Sequence, residues 1–154
     1  VLRHTYENQI CSVARALELI GERWTLLIVR DALLGTTRFD GFLASLGLAR
    51  NVLTDRLNSL VDHGVFERVP YRERPLRHEY RLTPMGRDLV TVVIPLMEWG
   101  DRHLAGEAGP PRVAEHVGCG GHVVTRFVCE RCGRDIENDE VTNRPVGDAD
   151  RAVR

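Results

Sequence analysis

Between Ser12 and Leu104 the apolar positions repeat with helical spacing, interrupted at intervals by glycine. Val13, Ala16, Leu17 and Ile20 fall on one helical face, behind a Ser12 that suits an N-cap, and Gly21 interrupts the run. From Trp24 to Leu34 the chain is apolar on most sides, through Leu26, Leu27, Ile28, Val29 and Leu33. That pattern predicts a central, buried helix ended by Gly35. Phe39, Phe42, Leu43 and Leu46 stand at i, i+3, i+4 and i+7 of a short helix. Gly47 makes a turn. A further helix from about Ala49 to His63 carries Leu53, Leu57 and Leu60 as its core stripe, and Gly64 stops it.

The period then shortens. Val65–Val69 and His78–Leu82 alternate as strands do. The segment between them, Pro70-Tyr71-Arg72-Glu73-Arg74-Pro75, is too charged and proline-rich for a core strand, which predicts a β-hairpin with a projecting tip. Thr83-Pro84 supplies an N-cap and a first-turn proline for a helix to about Leu104, kinked at Pro95. Eight of the 11 residues from Leu89 to Trp99 are apolar and cover more than one helical face. One small core cannot bury them all, so a second surface is expected, a homodimer interface using Leu89, Val93, Leu96, Met97 and Trp99.

Ala105-Gly106-Glu107-Ala108-Gly109-Pro110-Pro111 cannot hold a helix, and after it the texture changes to Gly, Cys, His and β-branched residues. The chain is therefore divided into a domain at 1–104, a linker at 105–115, a cysteine-bearing segment at 116–142 and a flexible tail at 143–154. Helix, helix, glycine turn, helix, hairpin, helix is the order of a winged helix-turn-helix. The expected fold class is mainly α (α+β), with a β-hairpin wing and a small C-terminal zinc-ribbon-like β segment.

Composition adds limits. The chain has 154 residues, 43% of them hydrophobic and 28% charged, an ordinary globular mixture. No apolar run approaches the roughly 18 residues a spanning helix needs, and Val1-Leu2-Arg3-His4 lacks a signal-peptide layout. A soluble cytoplasmic protein with reduced thiols and no membrane partner is expected. The net charge of -1 excludes a uniformly basic nucleic-acid coat, but all 21 basic residues are Arg, none Lys, and they are unevenly spread. Residues 68–81 hold Arg68, Arg72, Arg74, Arg77 and Arg81 against Glu73 and Glu79, a net +3 in 14 residues. Arginine on a protruding loop suits phosphate or minor-groove contact.

On the helix after Gly47, Asn51, Thr54, Asp55 and Asn58 fall opposite the leucine stripe, flanked by Arg50 and Arg56. Asn pairs with adenine, Thr with a base or thymine methyl, and Arg with guanine or phosphate; Asp55 accepts from cytosine or orients an arginine. Double-stranded DNA is the partner these residues expect.

Here the chain resembles a known family. Cys11-Ser12-Val13-Ala14-Arg15-Ala16-Leu17-Glu18-Leu19-Ile20-Gly21-Glu22-Arg23-Trp24 is similar to the opening of HxlR-type winged-helix regulators. So are Arg38-Phe39, Gly47-Leu48-Ala49-Arg50-Asn51-Val52-Leu53, His78-Glu79-Tyr80-Arg81-Leu82-Thr83 and Glu98-Trp99-Gly100-Asp101. The resemblance implies a homodimeric transcriptional regulator on a pseudo-palindromic operator, with Arg38 in the DNA-contacting set and terminal helices at the dimer interface. Ala49 departs from the serine many members carry at the start of the recognition helix, which favours a contact set centred on Asn51.

Two further features carry chemistry. His116-Val117-Gly118-Cys119-Gly120 and Cys129-Glu130-Arg131-Cys132-Gly133 each place two potential ligands at a spacing of two intervening residues, with Gly after the second. With the strand-like Val123–Val128 between them, they read as a zinc ribbon: two knuckles joined by a hairpin and holding a structural Zn on His116, Cys119, Cys129 and Cys132. His122 is the competing imidazole. Cys11 lies at the start of the first helix, where the helix end lowers a thiol pKa. It coincides with an N-terminal cysteine that some members of the resembling family use as an oxidation sensor; the other reading is a half-buried structural thiol. No nucleophile triad, phosphate loop or paired-carboxylate signature suggests an enzyme. The expectation is a DNA-binding regulator, possessing a redox or small-molecule response. Its alternatives are a zinc-dependent protein docking module on a winged-helix scaffold, or a metal or thiol sensor.

Overall fold

The computed structural model describes Tyr6 and residues 11–144; the N-terminal four residues and most of the expected tail lie outside the described residues. Helices α1 (Ser12–Ile20), α2 (Thr25–Leu33), α3 (Phe39–Leu46) and α4 (Arg50–Asp62) precede strands β1 (Phe66–Glu73) and β2 (Leu76–Leu82). Then come α5 (Pro84–Asp88) and α6 (Val90–Leu104). The chain forms two compact units divided between Val93 and Ile94.

The first unit is a winged helix-turn-helix. Its core joins Ile28 and Val29 of α2 to Phe42 of α3, Leu53, Leu57 and Leu60 of α4, and Val65 and Phe66 at the start of the wing. Phe42 and Phe66 meet edge to face with ring centroids 6.3 Å apart. Apolar periodicity therefore does here what it should: α2 is central, and α3 and α4 bury their leucine and phenylalanine stripes against it. The turn between α3 and α4 passes through Gly47 at φ 63°, a left-handed conformation that a side chain would strain.

At α1 the helix begins one residue earlier than the sequence suggests, so Cys11 is the N-cap and Ser12 the first helical residue. Ala14 and Ile20 are buried, while Val13 and Leu17 of the expected apolar face stay exposed.

The wing is an antiparallel ribbon from Phe66↔Leu82 to Glu73↔Leu76, longer than the two alternating runs predict. Only Arg74 and Pro75 remain between the strands, joined by a cis peptide. Beyond its base the ribbon has no core face, residues 70–77 all being exposed, so charged residues are no obstacle to pairing there. Pro70 adjoins a register irregularity between Pro70 and Arg72, where its missing N–H interrupts nothing regular.

The single helix expected from Pro84 to Leu104 is two helices, interrupted at Leu89. Thr83 caps α5 as expected, its hydroxyl oxygen accepting from Gly86 N at 3.1 Å. The same hydroxyl donates to Gly64 O at 2.6 Å, tying α5 to the turn before the wing. Gly86 is buried there, and a Cβ on it would lie 2.1 Å from the carbonyl oxygen of Val65. These tethers are tertiary and leave no mark on the periodicity.

In the second unit, Pro95 lies inside α6, short 3-10 turns occupy Gly106–Ala108 and Asn138–Glu140, and the other described residues form no further helix or strand. Val123–Val128 forms no strand of a hairpin: the bridges are Glu115↔His122 and Val128↔Asp135, each closing a loop on itself. With each arm paired locally, the intervening segment has no neighbour to extend a ladder. Among the described residues no helix is long and apolar enough to cross a membrane.

Candidate nucleic-acid interface

α4 stands beside the wing because β2 is bonded to the segment before α3. Tyr80 N donates to Thr37 O at 2.7 Å, Arg38 bridges Glu79, and the Thr37 hydroxyl donates to Glu79 Oε2 at 3.3 Å. Between the helices and the ribbon lies a concavity of about 730 Å³. Of the residues expected from sequence it gathers Arg38, Arg50, Thr54, Asn58 and Arg77. With Arg68, one of the wing arginines, it also takes in Phe39, Tyr71, His78 and Tyr80, none of them expected contacts.

The additions have a common role. Arg38 lies over the Tyr71 ring at 4.7 Å, Arg50 over Phe39 at 4.9 Å and Arg68 over Tyr80 at 5.7 Å. Each stack restrains a guanidinium; Arg38 keeps its N–H edge available for an anion, while Arg50 and Arg68 also reach Asp40 and Asn58. None of these pairs are neighbours in sequence, so the sequence carries no direct signal for them.

On α4, Asn51 and Asp55 are exposed, and the Thr54 hydroxyl donates to Arg50 O at 2.8 Å. Arg50 also pairs with Asp40 at 3.5 Å. Two more expected contact residues are likewise engaged within the protein. Asn58 Oδ1 accepts from Arg68 at 2.6 Å, and Arg56 is partly buried and pairs with Glu22 at 3.4 Å.

Along the wing, Glu79 is taken up by Arg81 and Thr37. Among the described residues Arg72, Arg74 and Arg77 pair with no carboxylate. Arg72 and Arg77 are directly opposite in the ribbon. Like charges facing across a ladder are destabilising, so this placement serves something other than the ribbon's own stability.

The other expected sites are placed as follows. Cys11 is exposed at the N-cap of α1, and the backbone amides of Ala14 and then Val13 hold its thiol below its usual pKa, against a small opposing effect of burial. Leu89 and Val93 pack on the core of the first unit, whereas Leu96 and Trp99 are about half exposed, at 50% and 51%. No residue of α6 is buried. His116 Nδ1 is 3.2 Å from Cys119 Sγ, and the Cys132 amide and thiol lower the Cys129 pKa. Among the described residues no three His, Cys, Asp or Glu side chains are gathered into a metal-holding group, so the expected ligands stand as two pairs.

A helix-turn-helix with an arginine-bearing wing defines a class, the winged-helix transcriptional regulators, and not an enzyme. Comparison places the chain within it. The HxlR-like helix-turn-helix family matches residues 19–108, and the chain belongs to that family. It is 49% identical over 144 residues to the HTH-type transcriptional regulator Rv3095 of Mycobacterium tuberculosis, covering 94% of this chain and 90% of that protein. That likeness runs past residue 108 into the cysteine-bearing segment. Among solved structures, the transcription factor PA1607 superposes with a TM-score of 0.80 at 35% identity, covering 90% of this chain and 97% of that one. The redox regulator HypR in its oxidised form matches with a TM-score of 0.56 at 31% identity, over 60% of this chain and 97% of that one.

Proposed function

We propose that the protein acts as a homodimer on a pseudo-palindromic operator, with α4 in the major groove and the wing on the backbone or minor groove. The observation that carries this is the concavity between α4 and the wing, where three guanidiniums are stacked on aromatic rings. Phosphate contacts from Arg50, Arg38 and the wing fix register, while Asn51 and Thr54 read base edges. The dimer is supported by the exposure of Val13 and Leu17 on α1 and of Val90, Val92, Leu96 and Trp99 on α6. Residues 116–142 are read as a zinc-holding segment of this regulator, supported by the His116–Cys119 and Cys129–Cys132 pairs.

The test is binding to DNA from the promoter of the protein's own gene, measured by fluorescence anisotropy with single-base operator variants. Asn51→Ala should cost about 1–3 kcal/mol on the preferred site and relax preference at one base pair. Arg50→Ala should weaken all sequences alike. If neither substitution changes binding, α4 is not the reading element.

A second reading, thiol-based control through Cys11, is favoured by its exposure and lowered pKa and by the likeness to the redox regulator HypR. Peroxide should release the operator from the native chain and not from Cys11→Ser.

A further inference from the structure

The second unit folds the same short loop twice. His116 N donates to Gly121 O at 2.8 Å and Gly120 N to His116 O at 2.8 Å. Thirteen residues on, Cys129 N donates to Arg134 O at 2.9 Å and Gly133 N to Cys129 O at 2.8 Å. The outer bonds repeat as well, Val123 N to Ala114 O at 2.8 Å and Ile136 N to Phe127 O at 2.9 Å. Gly120 and Gly133 share φ 69°, and the bridge Glu115↔His122 recurs as Val128↔Asp135. Between 114–123 and 127–136 only the Cys-Gly pair is identical, so the shared backbone does not come from shared sequence at large. What recurs is a donor side chain at the first and fourth positions of each turn.

Packing does not account for the repetition. Among the described residues none of the buried hydrophobic side chains lies beyond Phe66, and Val117, Val124, Phe127 and Val128 are exposed. A segment of this size without a core needs a staple.

We propose that His116, Cys119, Cys129 and Cys132 hold one Zn²⁺ ion, two donors from each loop, and that His122 contributes none. This rests on the metal reading of residues 116–142 and goes beyond it by assigning the donors. The repeat decides between the imidazoles. His116 occupies the position of Cys129 and already touches the Cys119 sulfur, whereas His122 occupies the position of Asp135, on the return arm of the loop. In the second loop that position is spent on an ion pair with Arg126. A redox dithiol would use Cys129 and Cys132 alone and leave the first loop without a purpose. On binding, three thiols each release a proton to solvent and the three thiolates and a neutral imidazole complete a closed, four-coordinate shell, with no change in oxidation state. The two pairs are drawn together by the ion, so metal binding and ordering of the segment are one event.

The experiment uses the full chain, purified under reducing conditions without chelator, with zinc content and Co²⁺ spectra as readouts. The native chain and His122→Ala should each hold close to one zinc, and His116→Ala should bind it at least about tenfold more weakly. His116→Cys, which restores a fourth donor, should keep the metal and raise the sulfur-to-cobalt charge-transfer absorbance by about one third. Less than about one tenth of a zinc per chain, or a Cys129–Cys132 disulfide in the native protein, overturns the metal reading itself. Zinc lost in His122→Ala and kept in His116→Ala overturns only the donor assignment.

Discussion

Arg68, at the base of the wing, donates a 2.6 Å hydrogen bond to Asn58 on α4, so the two elements proposed to meet DNA are joined side chain to side chain. Asn58 is thereby a positioning residue. Asn58→Ala should weaken binding at all sequences by about 0.5–1.5 kcal/mol without shifting base preference, unlike Asn51→Ala. Operator-variant titrations separate the two; a changed base preference for Asn58→Ala would make it a reader.

Gly86 is fixed by its neighbour's backbone. A methyl group there would sit 2.1 Å from Val65 O, so Gly86→Ala must push α5 off the turn. Urea unfolding should show a loss of about 1–3 kcal/mol with the slope unchanged. A substitution without cost would mean that α5 is not seated as described.

Cys11 carries a pH dependence of definite sign. Because the folded state favours its thiolate, that contribution is fully present above the ordinary thiol value and is lost as pH falls through the lowered one. The rate of iodoacetamide labelling at Cys11 should therefore have its midpoint below that of the same residue in the urea-unfolded chain. Coincident midpoints would remove the chemical basis for sensing at this position.

Leu96 and Trp99 are about half exposed on a helix with no fully buried residue. Leu96→Glu should leave the helical circular dichroism intact and raise the dimer dissociation constant on the order of 100-fold in sedimentation equilibrium, about 2–3 kcal/mol. An unaltered dimer would place the interface elsewhere.

The helices of the first unit were legible because their stripes answer to one core: Phe39, Phe42, Leu43 and Leu46 on α3, and Leu53, Leu57 and Leu60 on α4, separated by a glycine at positive φ. Features set by tertiary contact were not. The close approach of Gly86 to Val65 and the pairing of Arg56 with Glu22 are contacts between segments far apart in sequence, which no periodicity contains. The wing extends beyond the alternating runs because alternation reports a buried face, and residues 70–77 have none. In the second unit, β-branched residues from Val123 to Val128 suggest a strand, but the two ends pair into separate loops, at Ala114 and at Asp135, and no ladder forms between them. The arginine–aromatic stacks were not legible, because none joins neighbours in sequence; which ring serves which guanidinium is set by the docking of wing and helix.

The central claim is that the protein grips DNA with α4 and the wing, and the salt dependence of operator binding tests it most directly. Arg72, Arg74 and Arg77 pair with no carboxylate among the described residues. Replacing all three by Ala should lower affinity at every sequence and flatten the plot of log K against log salt by about 2.7 for each protomer bound, close to 0.9 for every phosphate that an arginine no longer neutralises. A triple variant with the affinity and salt slope of the native protein would contradict the account.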